Sequence, residues 1–257
     1  MKFGGILLAL SLLIGSSSEA RVFNFKNEKF ATYFRGTAGL SGLKKTAFES
    51  SGGQNLTFSD QPNYNYTAEF GLLFSVSRMN VRMGLELFRP NAATGVEAKD
   101  ASDVTLYTLN STVIGYGGVM NLEFNMIEGD KSRLFFSGGG GYFTTSLKNE
   151  YAFTTAGNSA YPTVPNYVEE GSGYSFMGQA SFGYEFHLSD TTTTVFDAGY
   201  RYMLVNSLKH SRDAVTLLDP ATPVTSGSNM KNRDGSDRTL DLSGIWVGLS
   251  LRIYIGL

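Results

Sequence analysis

The residues able to do chemistry in this chain fall into a spaced set and an adjacent set. The spaced set has ten ionisable side chains: Arg35, Glu69, Arg82, Glu86, Glu123, Glu185, His187, Asp197, Arg201 and Arg252. Five acids, four arginines and a histidine could support proton transfer, a gated ion path or a structural network of pairs. The adjacent set is His210, Ser211 and Asp213, the residue types of a hydrolase relay. Three residues within four positions of one loop rarely reach each other in relay geometry, so they argue only weakly for catalysis. There are 2 histidines, His187 and His210, and no cysteine. The missing cysteines remove thiolate zinc sites, cysteine nucleophiles, disulfide scaffolds and lipoprotein anchors. The run Gly138-Gly139-Gly140-Gly141 is not a phosphate loop, because no helix follows it for an anion to cap. No metal or other cofactor is expected.

What must position the spaced set is visible as alternation. From Ile245 to Leu257 one phase reads Ile, Val, Leu, Leu, Ile, Ile, Leu, and the other is mainly small or polar with Arg252. A period of two means a strand. The same pattern recurs around 30–41, 68–76, 81–88, 113–123, 134–143, 174–187 and 194–202, which makes eight strands. With each apolar phase as the outward face, all ten ionisable residues fall on the inner phase. A Lys or Arg facing lipid at mid-depth costs about 2–4 kcal/mol, so this segregation is what a lipid-facing exterior demands.

The connections alternate in length. The stretches 77–80, 126–132 and 188–191 are short, while 44–63, 89–106, 148–172 and 205–241 are long and polar. All 6 prolines fall in or at the start of the long stretches, as expected if strand interiors need their backbone donors. The 30 glycines among 257 residues exceed the usual ~7% and argue against a helical bundle. With 21 Lys+Arg against 23 Asp+Glu the net charge is -2, which gives no footprint for nucleic acid. Residues 1–20 read as a cleavable signal peptide: Lys2, an apolar run from Phe3 to Ile14, then Ser18-x-Ala20 before the cut. That apolar run is too short for a spanning helix of ~20 residues. The expected domains are therefore a leader, 1–20, and one barrel, 21–257.

Two barrels fit this pattern. One is an all-β, eight-stranded, antiparallel up-and-down barrel in an outer membrane, with periplasmic termini, short turns on the periplasmic side and long surface loops. The other is a soluble secreted barrel, in which the apolar face points inward. Charge segregation alone does not separate them. Strand ends rich in outward aromatics, and an inner phase rich in glycine and serine, favour the membrane form.

The segments RLFFSGGGGYFTTS (133–146), GYSFMGQASFGYEF (173–186), FDAGYRYM (196–203) and LSGIWVGLSLRIYIGL (242–257) resemble the second half of small bacterial outer-membrane barrels. These are the OmpA/OmpW/OmpX-type families, and the resemblance spans residues 28–257 as a pattern. It implies a Gram-negative outer membrane, surrounding lipid and lipopolysaccharide, and recognition by the barrel assembly machinery. It also implies an assembly signal in the last strand, carried here by Gly248, Leu251, Ile253, Ile255 and Leu257. Trp246 stands where that family has a polar residue, and Leu257 stands where it often has Phe.

Within an eight-stranded lumen, buried charges must pair. Counting from the periplasmic ends places Asp197 level with Arg252 and Arg82 near Glu123. The loop cations Lys231, Arg233 and Arg238 read as solvated, within reach of lipopolysaccharide phosphates. The expected function is a non-enzymatic barrel with a charge-plugged lumen and a structural or surface-interaction role, its surface ligand open. The alternative is a passive channel for small or hydrophobic solutes, which the OmpW resemblance implies. A lipid-modifying enzyme using His210 is the third reading.

Overall fold

The structure is a computed structural model that describes residues 23–43, 55–57, 64–217, 223–232 and 235–255. The expected leader, most of the first long loop, Arg233, and Gly256-Leu257 lie outside those residues.

Eight long strands form the wall: β1 (Phe30–Leu40), β2 (Tyr64–Val76), β3 (Met79–Pro90), β4 (Thr105–Glu128), β5 (Ser132–Phe153), β6 (Tyr167–Ser189), β7 (Thr192–Val205) and β8 (Gly244–Tyr254). Each pairs antiparallel with its neighbour in sequence. β1 then pairs with β8, from Ala31↔Tyr254 to Gly39↔Trp246, and closes the ring. A closed ring leaves no edge with unpaired backbone donors. Pro90 ends β3 where pairing to β4 has already stopped at Phe88↔Gly115, so its missing N–H costs no ladder bond.

The long stretches are not simple loops. β4, β5 and β6 run 24, 22 and 23 residues. Residues expected to be loop (105–106, 148–153 and 167–172) are wall. A further strand, Ala93–Lys99, pairs with β4, and Asn55–Thr57 pairs with it in turn. A short helix, α1 (Thr155–Ala160), joins β5 towards β6, its Thr154 hydroxyl capping the Gly157 N–H. Lys209–His210 pairs with β6, and Leu240–Asp241 with β7.

These extensions escape a search for outward apolar faces because the faces exchange. In β5 the outward residues are Leu134, Phe136, Gly138, Gly140 and Tyr142, then Thr144, Ser146, Lys148 and Glu150. The inward residues are Arg133, Ser137 and Gly139 low down, then Phe143, Leu147, Tyr151 and Phe153. β4 behaves the same way, with Ile114, Tyr116 and Met120 outward below and Thr108, Asn110 and Thr112 outward above. The apolar stretch from Ile114 to Phe124 rises roughly 26 Å at the usual tilt, close to the ~25 Å band of a membrane barrel. Above it the wall is polar outside and apolar inside, as in a soluble barrel.

Three layers fill the interior. The lowest is aromatic: Phe23 and Phe25 fold up under the barrel beside Tyr254, with ring centroids 5.3 Å and 6.3 Å from it. The middle layer is charged. The upper layer is an apolar core of Phe88, Val119, Phe143, Met177 and Met203, continuing to Leu208, Met230, Leu240 and Leu242 beneath the last long loop.

Candidate functional site: a charge-bridged lumen

The inward phases of all eight strands converge on the middle layer. Nine of the ten expected residues are buried there; Arg35, Glu69, Glu123, Glu185 and Arg252 are 0% exposed. His187 stands apart. It is half-buried at the lower rim, its ring 5.0 Å from Phe23, so it caps the aromatic layer instead of joining the charges.

The charges form one alternating chain. Arg35 sets Nη2 3.0 Å from Asp197 and Nη1 3.1 Å from Glu69. Glu69 also accepts the Tyr33 hydroxyl and lies 3.6 Å from Arg82 Nε. Arg82 Nη1 lies 3.5 Å from Glu123. Arg252 then joins Glu123 at 2.7 Å to Glu185 at 2.8 Å. Arg133 completes the chain, 2.6 Å from Glu185 and donating to the Tyr254 hydroxyl at 2.8 Å. Thr193 donates a further hydrogen bond to Glu185. A separate pair, Arg201 with Glu86, sits beneath the apolar layer, the guanidinium 5.3 Å over the Phe88 ring.

Two of these links span the ring. Arg252 on β8 reaches Glu123 on β4, the opposite strand of eight, and Arg201 on β7 reaches Glu86 on β3. Guanidinium–carboxylate contacts of this kind are directional and stronger than neutral hydrogen bonds. Five guanidiniums meet five carboxylates, so the layer is neutral and each buried charge has a counter-charge.

The geometry differs from simple counting in one pair. Arg82 lies beside Glu123, but Asp197 pairs with Arg35, not with Arg252. Register explains this: Asp197 sits opposite Gly248, and Arg252 opposite Thr193, because the strands are staggered around the barrel. A Cβ at position 248 would lie 2.2 Å from Asp197 Oδ1, so a larger residue there would displace that carboxylate. Leu251 and Ile253, also expected in the assembly signal, face outward. Ile255 is half-buried just past β8, and Leu257 lies outside the described residues.

Sequence reasoning missed Arg133, Tyr33 and Tyr254 as members of the layer. Arg133 shares the inward phase with Phe135 and Ser137, so extending that strand by one residue would have found it. It also missed a second buried pair higher up. Arg238, expected to be solvated, is 0% exposed and holds Glu169 at 2.8 Å and 3.2 Å. It also donates to the Lys231 carbonyl at 3.0 Å. Lys231 itself is exposed and pairs with Asp237. The loop folds down over the apolar core, and Glu169 at the wall needs a cation once water is excluded.

His210, Ser211 and Asp213 do not assemble. His210 is buried with Nδ1 unpartnered, while Asp213 accepts the Ser226 N–H at 2.7 Å. Burial is the main cause that pushes the His210 imidazole below its ordinary range; the Glu169 carboxylate opposes it and Arg238 adds to it. Among the described residues no group of three or more His, Cys, Asp and Glu could hold a metal ion.

No family model matches the chain, and no curated protein matches it. Among solved structures it is similar to the outer membrane protein OprG from Pseudomonas aeruginosa, with 12% identity, 90% of this chain and 99% of that chain covered, and a TM-score of 0.45. It is similar to a major outer membrane protein from Thermus thermophilus, with 8% identity, 88% and 99% covered, and a TM-score of 0.48. It is also similar to Ail, the attachment invasion locus protein of Yersinia pestis, with 12% identity, 89% and 99% covered, and a TM-score of 0.38.

Proposed function

We propose that the chain is an integral outer-membrane β-barrel with a closed lumen, matured by removal of residues 1–20, whose role is structural and surface-presenting. The observation that carries this reading is the exchange of faces along single strands. The lower wall turns large apolar side chains outward, with Leu85 74% and Phe176 79% exposed, around the whole ring. Each such side chain gains about 1.5–3 kcal/mol on leaving water, so a belt of them is stable only in lipid. The upper wall has the opposite arrangement, which suits water. A soluble barrel has no use for the lower zone, and a barrel lying wholly in lipid has none for the upper.

The bridges across the axis and the apolar layer above them support a plugged lumen over a channel. The separation of His210, Ser211 and Asp213 supports a non-enzymatic role. The reading places the termini and short turns in the periplasm, and lipid and lipopolysaccharide around the belt. β8 is the strand offered to the barrel assembly machinery, and the tall outer wall with its loops is the surface presented to ligands outside the cell. Planar-bilayer recording of purified protein tests the plug. The expected result is no stepwise conductance, and reproducible single-channel steps would replace the plug with a channel. Heat-modifiable migration and fractionation with the outer membrane test the location, which a soluble periplasmic protein would overturn.

A further inference from the structure

The periplasmic rim of the barrel is uneven. The β2–β3 turn, Ser77-Arg78, ends the wall early, and β4 runs past it, Asn125 donating its N–H to the Arg78 carbonyl at 2.9 Å. A bulge between Asn125 and Ile127 follows. In the step so formed lies a cavity of about 470 Å³, lined by Lys26, Ser77, Arg78, Asn125, Met126 and Glu128.

Two features of this cavity point to a ligand. The first is charge. Lys26 and Arg78 are both exposed, and neither has a carboxylate partner among the described residues. Glu128, the one carboxylate of the lining, accepts the Asn125 side-chain amide at 2.8 Å, and the two cations outnumber it. What sets these two cations apart is that they line one cavity together. The second is position. Val76, Met126 and Ile127 are 59%, 51% and 67% exposed and form the lower margin of the apolar belt directly beside the cavity. A ligand seated here meets cations on one side and an apolar wall on the other.

We propose that this step is a binding site for the phosphate headgroup of a phospholipid in the periplasmic leaflet, with Lys26 and Arg78 on the phosphate and the acyl chains along Val76, Met126 and Ile127. The inference rests on the outer-membrane reading above. Arg offers a planar fork suited to phosphate oxygens and Lys a compact charge, and both carry apolar stems that lie along hydrocarbon. Basic pockets at a membrane boundary hold lipid headgroups by this combination. Lys26 comes from the segment that carries Phe23 and Phe25 into the barrel floor. A lipid bound here therefore also fastens that segment to the β2–β3 turn.

The test is native mass spectrometry of the full mature protein released from detergent, with added phosphatidylglycerol as probe. Wild type is expected to retain one lipid, and the double variant Lys26→Ala/Arg78→Ala at least about tenfold less, roughly 1.4 kcal/mol of binding. A control variant on the upper wall, Lys148→Ala, is expected to match wild type. Inorganic phosphate in large excess distinguishes the sources: unchanged lipid retention supports a lipid site, and displacement by phosphate alone replaces it with a simple anion site. Equal retention by wild type and the double variant overturns the proposal. Heat-modifiable migration of every sample separates the two failures. A sample that shifts normally but retains no lipid sinks only this site, whereas a wild type that never shifts sinks the membrane barrel itself.

Discussion

Replacing Arg252 by Met is the sharpest probe of the lumen. Methionine keeps most of the volume and removes the charge. Arg252 holds two carboxylates, Glu123 at 2.7 Å and Glu185 at 2.8 Å, and it reaches the first from the far side of the ring. Its loss leaves Glu123 with Arg82 at 3.5 Å and the Asn80 amide at 3.4 Å, both longer and poorer contacts. Glu185 keeps Arg133 at 2.6 Å together with the hydroxyls of Thr193 and Tyr254. Breaking a buried pair by removing one partner typically costs about 3–5 kcal/mol, because the remaining charge stays out of water. With Glu185 still well held, Glu123 carries most of the penalty, and a loss of about 3 kcal/mol, the lower end of that range, is expected. The assay is urea unfolding of the refolded barrel in lipid vesicles, followed by tryptophan fluorescence and by gel migration. Adding Glu123→Gln should return part of the loss, a coupling of about 1–3 kcal/mol. Lys148→Met, which breaks the half-exposed Lys148–Glu150 pair, should change stability by less than about 0.5 kcal/mol. An Arg252→Met loss no larger than that of Lys148→Met would refute the idea that the bridges hold the interior together.

Three further outcomes follow from the same geometry. Leu85→Arg, at the middle of the apolar belt, should cost about 2–4 kcal/mol in the same unfolding assay, while Ser146→Arg on the polar upper wall should lie within about 0.5 kcal/mol of wild type. Gly71→Ala should cost about 1–3 kcal/mol, since its Cβ would sit 2.0 Å from the Met83 carbonyl oxygen. Gly118→Ala, with nothing within 4 Å, should be nearly neutral. The third concerns pH. Burial lowers the folded pKa of His210 below its unfolded value, so the unfolded loop binds the proton more tightly. Stability of the loop over the apolar core is then full above about pH 6.5 and falls as pH drops below it. Proteolysis between residues 206 and 240 should accelerate as the pH is lowered from roughly 7.5 to roughly 5, on either side of that ordinary histidine value. His210→Gln should flatten the dependence, and an unchanged slope in the variant would remove His210 as the cause.

The amino-acid sequence determined the strand count, the antiparallel order and most of the membership of the charge layer. Period-two alternation reports these directly, because in a strand the side-chain direction follows from position alone. It did not determine which face lies inside. Thr144, Ser146 and Lys148 alternate with Phe143, Leu147 and Tyr151 as regularly as Leu134 and Phe136 alternate with Arg133 and Ser137. Only the surrounding solvent, lipid below and water above, reverses their meaning, and so the upper ends of β4, β5 and β6 read as loop. Nor did the sequence choose the pairs. Alternation places Asp197 and Arg252 on inward phases, but stagger between strands decides level, and the length of an arginine side chain decides reach. Across so narrow a lumen Arg252 passes over its neighbour and meets Glu123 on the opposite strand. That contact joins residues 129 apart in the chain. It exists because the ring closes, a fact of tertiary structure that no local pattern contains.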